Sequence, residues 1–227
     1  MKRIGLIGGI SWAATADYYR YINLDVRRRL GGHHSADMVI RSLDLQPLLQ
    51  QANDVASIEQ VMRSAGEDLQ AANASLIGIA SFTGHRYARL LQQSALLFID
   101  LTQSIGAAVH EARYERIAVW ATSYALRDTA LMGQLSTISR AQLIQPPRDM
   151  HQELDRIVFS ELAAGSLTTS STQTLQELLL RQVDEGAQAL LLATTDFSPL
   201  LGLLESPVPM LDGSLIHCRS LVDAALA

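Results

Sequence analysis

The sequence predicts an α/β protein of two pseudo-symmetric lobes, each a mostly parallel sheet flanked by helices. Two observations predict it. Short, almost wholly apolar runs alternate with longer stretches of helical periodicity, the pattern of buried parallel strands joined by crossover helices. The pattern also repeats at a near-constant spacing. "RIGLIGG" begins at Arg3 and "RIAVWAT" at Arg116, an offset of 113 residues, and "IGIASFT" at Ile77 and "LLLATTD" at Leu190 share that offset. "DLT" at Asp100 and "DGS" at Asp212 stand 112 apart. Internal duplication accounts for a spacing shared by three strand ends, whereas chance likeness among apolar strands does not.

In chain order, strands are expected at 3–8, 37–44, 75–81, 95–100, 116–122, 141–146, 189–195 and 208–212. Between several of them lie helical patterns. One covers 55–73, with Val55, Val61, Met62, Leu69 and Ala72; another covers 172–187, with Leu175, Leu178, Leu179 and Val183. The duplication divides the chain into an N-terminal lobe, 1–103 plus 210–227, and a C-terminal lobe, 104–209, with no Pro/Gly-rich tether between them. In open α/β sheets ligands bind beyond the carboxyl ends of the strands. Two such lobes are expected to enclose a ligand in a cleft, with the equivalent residues Ser81 and Thr194 on its opposite sides.

Composition narrows the class. Of 227 residues, 48% are hydrophobic and 18% charged, so a sizeable core is expected and disorder is not. A net charge of −5 argues against nucleic acid or an anionic membrane as main partner. The basic run Arg27-Arg28-Arg29 suits the negative end of a helix dipole. One cysteine, Cys218, excludes an internal disulfide and a multi-cysteine metal site. It is expected to be buried and inert. His33 and His34 are adjacent and point different ways with no third ligand, so a loop or dimer contact is expected, and no metal. The opening apolar run is too short and too glycine-broken for a signal peptide, and no long apolar stretch spans a membrane. A cytoplasmic protein is the expectation.

Several segments resemble the aspartate/glutamate racemase family, whose members invert an amino-acid α-carbon without pyridoxal phosphate. "IGLIGGISWAATADYY" resembles its N-terminal signature through Gly8, Gly9, Ser11, Trp12, Thr15, Tyr18 and Tyr19. "RRRLGGHHSA" (27–36), "SLDLQ" (42–46), "IVFSELAAG" (157–165) and "SPVPMLDGSLIH" (206–217) resemble further family segments in the same order. The resemblance spans essentially the whole chain. It implies the Asp/Glu racemase-like fold of two similar α/β lobes with the substrate between them, no cofactor, and a homodimer.

The family's catalytic pattern places a cysteine, or in some members a threonine, at the head of a C/T-N-T-x-H turn, and a second cysteine at the head of a C-T-E turn. Here the turns read Ser81-Phe82-Thr83-Gly84-His85 and Thr194-Thr195-Asp196. Both thiol positions carry hydroxyls. Phe82 stands where an asparagine is usual, Asp196 where a glutamate is, and Glu153 falls near a usual basic residue.

That exchange matters for chemistry. Two-base racemisation needs one group to remove the α-proton and another to donate from the opposite face. A free cysteine has a pKa of about 8.5, against about 15.7 for water, which an alkyl hydroxyl resembles. The gap of about 7 units is roughly 10 kcal/mol, whereas active sites shift pKa values by about 2–5 units. Two hydroxyls are therefore poor as the sole acid–base pair. They suit a hydrogen-bonding carboxylate or oxyanion site at helix-leading strand ends.

The expected site follows. Ser81, Thr194, His85 and Asp196 are the catalytic candidates. Gly9, Ile10, Ser11, Phe82, Thr83, Thr122, Ser123, Thr195 and His217 are the substrate-binding candidates. His85 serves either in proton transfer or in starting a helix, and His217 either faces the cleft or does not. Asp100 and Asp212 read as turn and helix caps. The expected protein is a cofactor-independent enzyme of the racemase superfamily acting on a small carboxylate or amino-acid-like substrate, by an isomerase, lyase or decarboxylase-type reaction. The alternatives are an aspartate or glutamate racemase with unconventional bases, and a non-catalytic ligand-binding pseudoenzyme.

Overall fold

The computed structural model describes residues 1–50 and 54–227. They form two compact units, Met1–Ser104 with His217–Ala227, and Ile105–Ile216. Each unit holds a four-stranded, wholly parallel sheet.

The first sheet contains β1 (Ile4–Gly8), β2 (Met38–Ser42), β3 (Leu76–Ile79) and β4 (Leu97–Phe98), in the order β2-β1-β3-β4. The second contains β5 (Arg116–Trp120), β6 (Gln142–Ile144), β7 (Ala189–Leu192) and β8 (Met210–Asp212), in the matching order β6-β5-β7-β8. All eight expected strands form. They are shorter than the apolar runs because hydrogen-bonded pairing stops before the apolar residues do; 95–100, for instance, pairs only at Leu97 and Phe98. The central strands β1, β3 and β7 are buried along their whole length, which is why they read as continuous apolar runs rather than alternating ones.

Helices cover both faces of the first sheet. On one face, Tyr18, Ile22 and Val26 of α1 (Trp12–Leu30) pack with Cys218, Leu221 and Val222 against Ile4, Leu6 and Leu76. The opposite face receives Ile58, Met62, Ala65 and Leu69 of α3 (Val55–Ala71), a helical i, i+4, i+7, i+11 stripe. The Asp54 side chain caps this helix by accepting from Ser57 N at 3.0 Å. Between β2 and α3 the chain makes the short helix α2 (Leu45–Gln50). After β3 come a tight 3₁₀ turn, Thr83–Tyr87, and α4 (Ala88–Leu91). All three arginines of 27–29 lie in the last turn of α1 as the dipole argument expects; Arg28 and Arg29 also pair with Asp25.

After α5 (Leu101–Glu111) and β5, the second unit continues through α6 (Ser123–Leu126), α7 (Thr129–Ser139) and α8 (Met150–Arg156). A π-helical turn at Ile157–Glu161 leads towards α9 (Thr169–Asp184), and α10 (Gly213–Leu226) ends the chain. The helix expected at 172–187 starts three residues earlier because Thr168 caps it, accepting from Ser171 N at 3.1 Å. Its buried Gln182 accepts from the Trp120 indole at 2.6 Å and donates to the Ile144 carbonyl at 3.0 Å, so a polar side chain ties α9 to two strands with no unmet group. No described helix is long and apolar enough to cross a membrane.

Glu161 organises the approach to α9. Its carboxylate accepts from Thr168 N at 2.8 Å, Ser171 Oγ at 2.7 Å and Arg156 Nη1 at 2.6 Å. These donors, the Thr168 amide foremost, hold its pKa down to about 2. A carboxylate with a depressed folded pKa stabilises above its ordinary value and loses that contribution as pH falls towards the folded one. Glu161→Gln is therefore expected to lower the thermal midpoint at pH 7, with the deficit shrinking as pH falls from about 4.5 to about 2. Paired melting curves across that window check it; a deficit independent of pH would contradict the charge argument.

Candidate active site

In the first unit the turn after β1 is built by residues of the expected site. Gly9 adopts φ +85°, and its N–H donates to Thr15 Oγ1 at 2.8 Å. The Thr15 hydroxyl donates in turn to the Ser11 carbonyl at 2.8 Å, and Ser11 Oγ caps α1 by accepting from Ala14 N at 3.2 Å. Ile10, half-buried, lies inside this braced turn.

One strand over, β3 pairs with β1 through Ile79 opposite Ile7, and Ala80 N donates to the Ile7 carbonyl at 2.8 Å. Two residues past the paired positions stand Gly9 and Ser81. Ser81 Oγ bonds Thr83 Oγ1 at 3.1 Å and accepts from Gly84 N at 3.2 Å. Thr83 and Ser81 are half-buried, whereas Phe82 is buried. The hydroxyl pair thus sits on a turn that its own side chain closes.

His85 lies beneath this turn, only 2% exposed. Its Nδ1 is 2.7 Å from the Ser81 main-chain oxygen rather than the hydroxyl, so the ring grips the backbone and is not set as general base for Ser81 Oγ. Burial pushes its pKa below the ordinary histidine value, against the opposing charge of Asp100.

His217 is fully buried, edge-on to His85 with ring centroids 5.2 Å apart. Its Nε2 donates to the Ile99 carbonyl at 2.8 Å, which leaves Nδ1 to accept from the Tyr18 hydroxyl at 2.9 Å. Both nitrogens are engaged, so the neutral ring offers a ligand nothing. Burial first, and the neighbouring His85 second, push its pKa down to about 3.

The second unit repeats the arrangement. Trp120 of β5 pairs with Leu192 of β7, and Ala193 N donates to the Trp120 carbonyl at 2.9 Å. Two residues past the paired positions stand Thr122 and Thr194. Each has a buried hydroxyl oxygen with no hydrogen-bond partner among the described residues. Ser123 is held at both ends: its N–H donates to Asp155 Oδ1 at 2.8 Å and its Oγ accepts from Arg127 Nη2 at 3.0 Å. Thr195 Oγ1 bonds Ser214 Oγ at 2.8 Å, and Asp196 is half-buried in the first turn of the 3₁₀ segment Thr195–Gly202.

Each unit therefore gathers its own set, Gly9, Ser11, Ser81 and Thr83 in one and Thr122, Ser123, Thr194 and Thr195 in the other. A family model for Asp/Glu/Hydantoin racemase matches residues 7–221. The chain belongs to the Asp/Glu/Hydantoin racemase family. Among solved structures, a Yersinia pestis protein classed as an Asp/Glu racemase is 26% identical over all of both chains, with a TM-score of 0.91. An aspartate racemase homologue from Pyrococcus horikoshii is 21% identical over all of both chains, with a TM-score of 0.86. Glutamate racemase from Francisella tularensis, solved with D-glutamate, is 16% identical over 99% of this chain and 81% of its own, with a TM-score of 0.65. The last two bear on the fold: two units of parallel sheet with flanking helices.

Within this racemase fold, some residues emerge that sequence reasoning passed over or rated as structural. Asp100 and Asp212 do cap as expected: Asp100 Oδ1 accepts from Thr102 N, Thr102 Oγ1 and Gln103 N at 2.7, 2.6 and 3.2 Å, and Asp212 Oδ1 from Ser214 N and Leu215 N at 2.8 and 3.1 Å. Asp100 additionally acts on His85. Ser198, 113 residues after His85, has a buried hydroxyl with no partner among the described residues. The repeat offset is the signal that could have found it. Asp155 and Arg127, which hold Ser123, carried no sequence signal because their roles rest on contacts across turns. Cys218 is buried in the first unit's core, as expected of an inert thiol.

Proposed function

We propose that this racemase-family chain is an enzyme acting on a small carboxylate or amino-acid-like substrate by stabilising negative charge that develops on it. The reaction is of isomerase, lyase or decarboxylase type, distinct from two-thiol racemisation. One observation carries the reading: hydroxyls, Ser81 and Thr194, occupy matching places two residues past the paired ends of the equivalent strands β3 and β7, each in its own unit, and the chain's single thiol lies elsewhere, in a core. In support, Thr194 and Thr122 have hydroxyls not committed to the described protein, and that makes them available donors. The D-glutamate bound by the Francisella tularensis relative supports an amino-acid-like ligand. The Ser81 and Thr194 hydroxyls serve as hydrogen-bond donors, each in its own unit, Asp196 carries the proton, and His85 holds the Ser81 turn in place.

Incubation with L-aspartate and L-glutamate in heavy water tests the reaction class. The expected result is no enzymatic deuterium incorporation at Cα, alongside saturable binding in an NMR screen of small carboxylates. Thr194→Val, which keeps the shape and removes the donor, is expected to weaken that binding by about tenfold, the effect of roughly 1.4 kcal/mol. Brisk exchange that survives loss of Asp196 and Cys218 would replace this reading with true racemisation by unconventional bases. Saturable binding with no turnover of any bound carboxylate would mark a ligand-binding protein instead.

A further inference from the structure

Two atoms behind the Ser81 turn have matching needs. A carbonyl only accepts, so the 2.7 Å contact between His85 Nδ1 and the Ser81 oxygen puts the proton on Nδ1. In the neutral ring Nε2 then carries the lone pair, and it is buried with no partner among the described residues. Asp100 is also buried. Its Oδ1 takes three donors from the start of α5, while its Oδ2 is buried and has none among the described residues.

The two groups are neighbours. Asp100 follows β4 by two residues, and Phe98 of that strand lies against the His85 ring with centroids 5.8 Å apart. Between them, Ile99 offers its carbonyl to His217, which meets His85 edge-on. The titratable groups around the ring are thus Asp100 from the end of β4, His217 from α10 and, behind His217, the Tyr18 hydroxyl of α1. His217 and Tyr18 satisfy each other. Among the described residues Asp100 is the group left to answer Nε2, yet a carboxylate and an imidazole lone pair are both acceptors. Leaving buried polar atoms unmet costs about 1–3 kcal/mol each, more for a charged group.

We propose that His85 and Asp100 together bind one buried water, which donates one hydrogen to Nε2 and the other to Oδ2. A water with such polar partners is the usual resolution of buried acceptors. Asp100 then acts as a positioning residue. The water it anchors keeps the lone pair on Nε2 and the proton on Nδ1, and Nδ1–H grips the carbonyl of Ser81, whose hydroxyl closes the turn onto Gly84 N. His85, Asp100, His217 and Tyr18 all belong to the first unit, and the water's place does not depend on the reaction class.

Nitrogen-15 NMR of histidine-labelled protein reads this directly. The expected wild-type signature at about pH 7.5 is a neutral His85 in the Nδ1–H tautomer, with Nε2 unprotonated and hydrogen-bonded, because burial keeps the ring below its ordinary value. In Asp100→Ser, which keeps a helix-capping oxygen and removes Oδ2, the Nε2 resonance is expected to shift, the Nε2–H tautomer to become populated, and the amides of 82–84 to move. A purely structural capping role for Asp100 predicts an unchanged His85 spectrum. If the variant fails to fold, a high-resolution crystal structure of the unmodified protein decides: solvent within about 3.2 Å of both Nε2 and Oδ2 is expected. A wild-type Nε2–H tautomer, a direct contact between Nε2 and Oδ2, or a dry pair would overturn the proposal.

Discussion

Gly9→Ala is expected to cost about 3 kcal/mol or more of stability, and to displace the turn that bears Ile10 and Ser11. An added Cβ would stand 2.0 Å from the Leu43 carbonyl oxygen and 2.4 Å from the Leu43 nitrogen. Both are backbone atoms, and Leu43 is pinned by its own bond to the Gly8 carbonyl at 2.9 Å, so the neighbour has little room to yield. The positive φ adds strain on top of the clash. Gly31→Ala separates the two contributions. That glycine also has positive φ, at +74°, with nothing within 4 Å of an added methyl, so it is expected to cost about 1–3 kcal/mol from the backbone conformation alone. Urea unfolding of the two variants measures the difference. Equal losses would mean that the close approach to Leu43 contributes nothing.

The second large effect is acid lability centred on His217. Its folded pKa of about 3 lies below the ordinary 6.5. As pH falls through 6.5 the unfolded chain takes up a proton that the folded protein refuses, so stability declines with falling pH until the folded value is reached. Between about pH 8 and 5 the loss amounts to about 2 kcal/mol. That range lies above the window in which Glu161 contributes, so the two are separable. His217→Gln is expected to be less stable at pH 7, because the Tyr18 and Ile99 contacts are disturbed, yet to show a flatter stability profile from pH 8 to 5. The burial of His85 adds to the slope in the same direction. A slope identical to that of the unmodified protein would show that the fold does not hold His217 below its ordinary pKa.

How much of the site could be read beforehand differs from residue to residue. Ser81 and Thr194 were found because they end apolar runs that repeat at a fixed offset, and the structure places each two residues past a paired strand position. The capping by Asp100 and Asp212 was legible for a similar reason: an aspartate two residues ahead of a hydroxyl at a strand-to-helix junction is a local signal, settled by bonds to the next few amides. The histidines were different. Nothing near His217 in sequence announces that it is satisfied by Tyr18, 199 residues away, and by Ile99, 118 residues away. Likewise His85 stands four residues after Ser81, which invites a base-and-hydroxyl pairing; the turn delivers its ring to the main-chain oxygen instead.

The amino-acid sequence by itself determined the parallel α/β class, the eight strands, the repeated spacing and the presence of hydroxyls at the strand ends, because these rest on side-chain polarity and on periodicities set by neighbours along the chain. Only the tertiary structure decided strand limits, which histidine nitrogens are occupied, and which buried oxygens stand unmet. Those depend on groups brought together by packing, and a hydrogen-bond partner a hundred residues away leaves no periodicity to read.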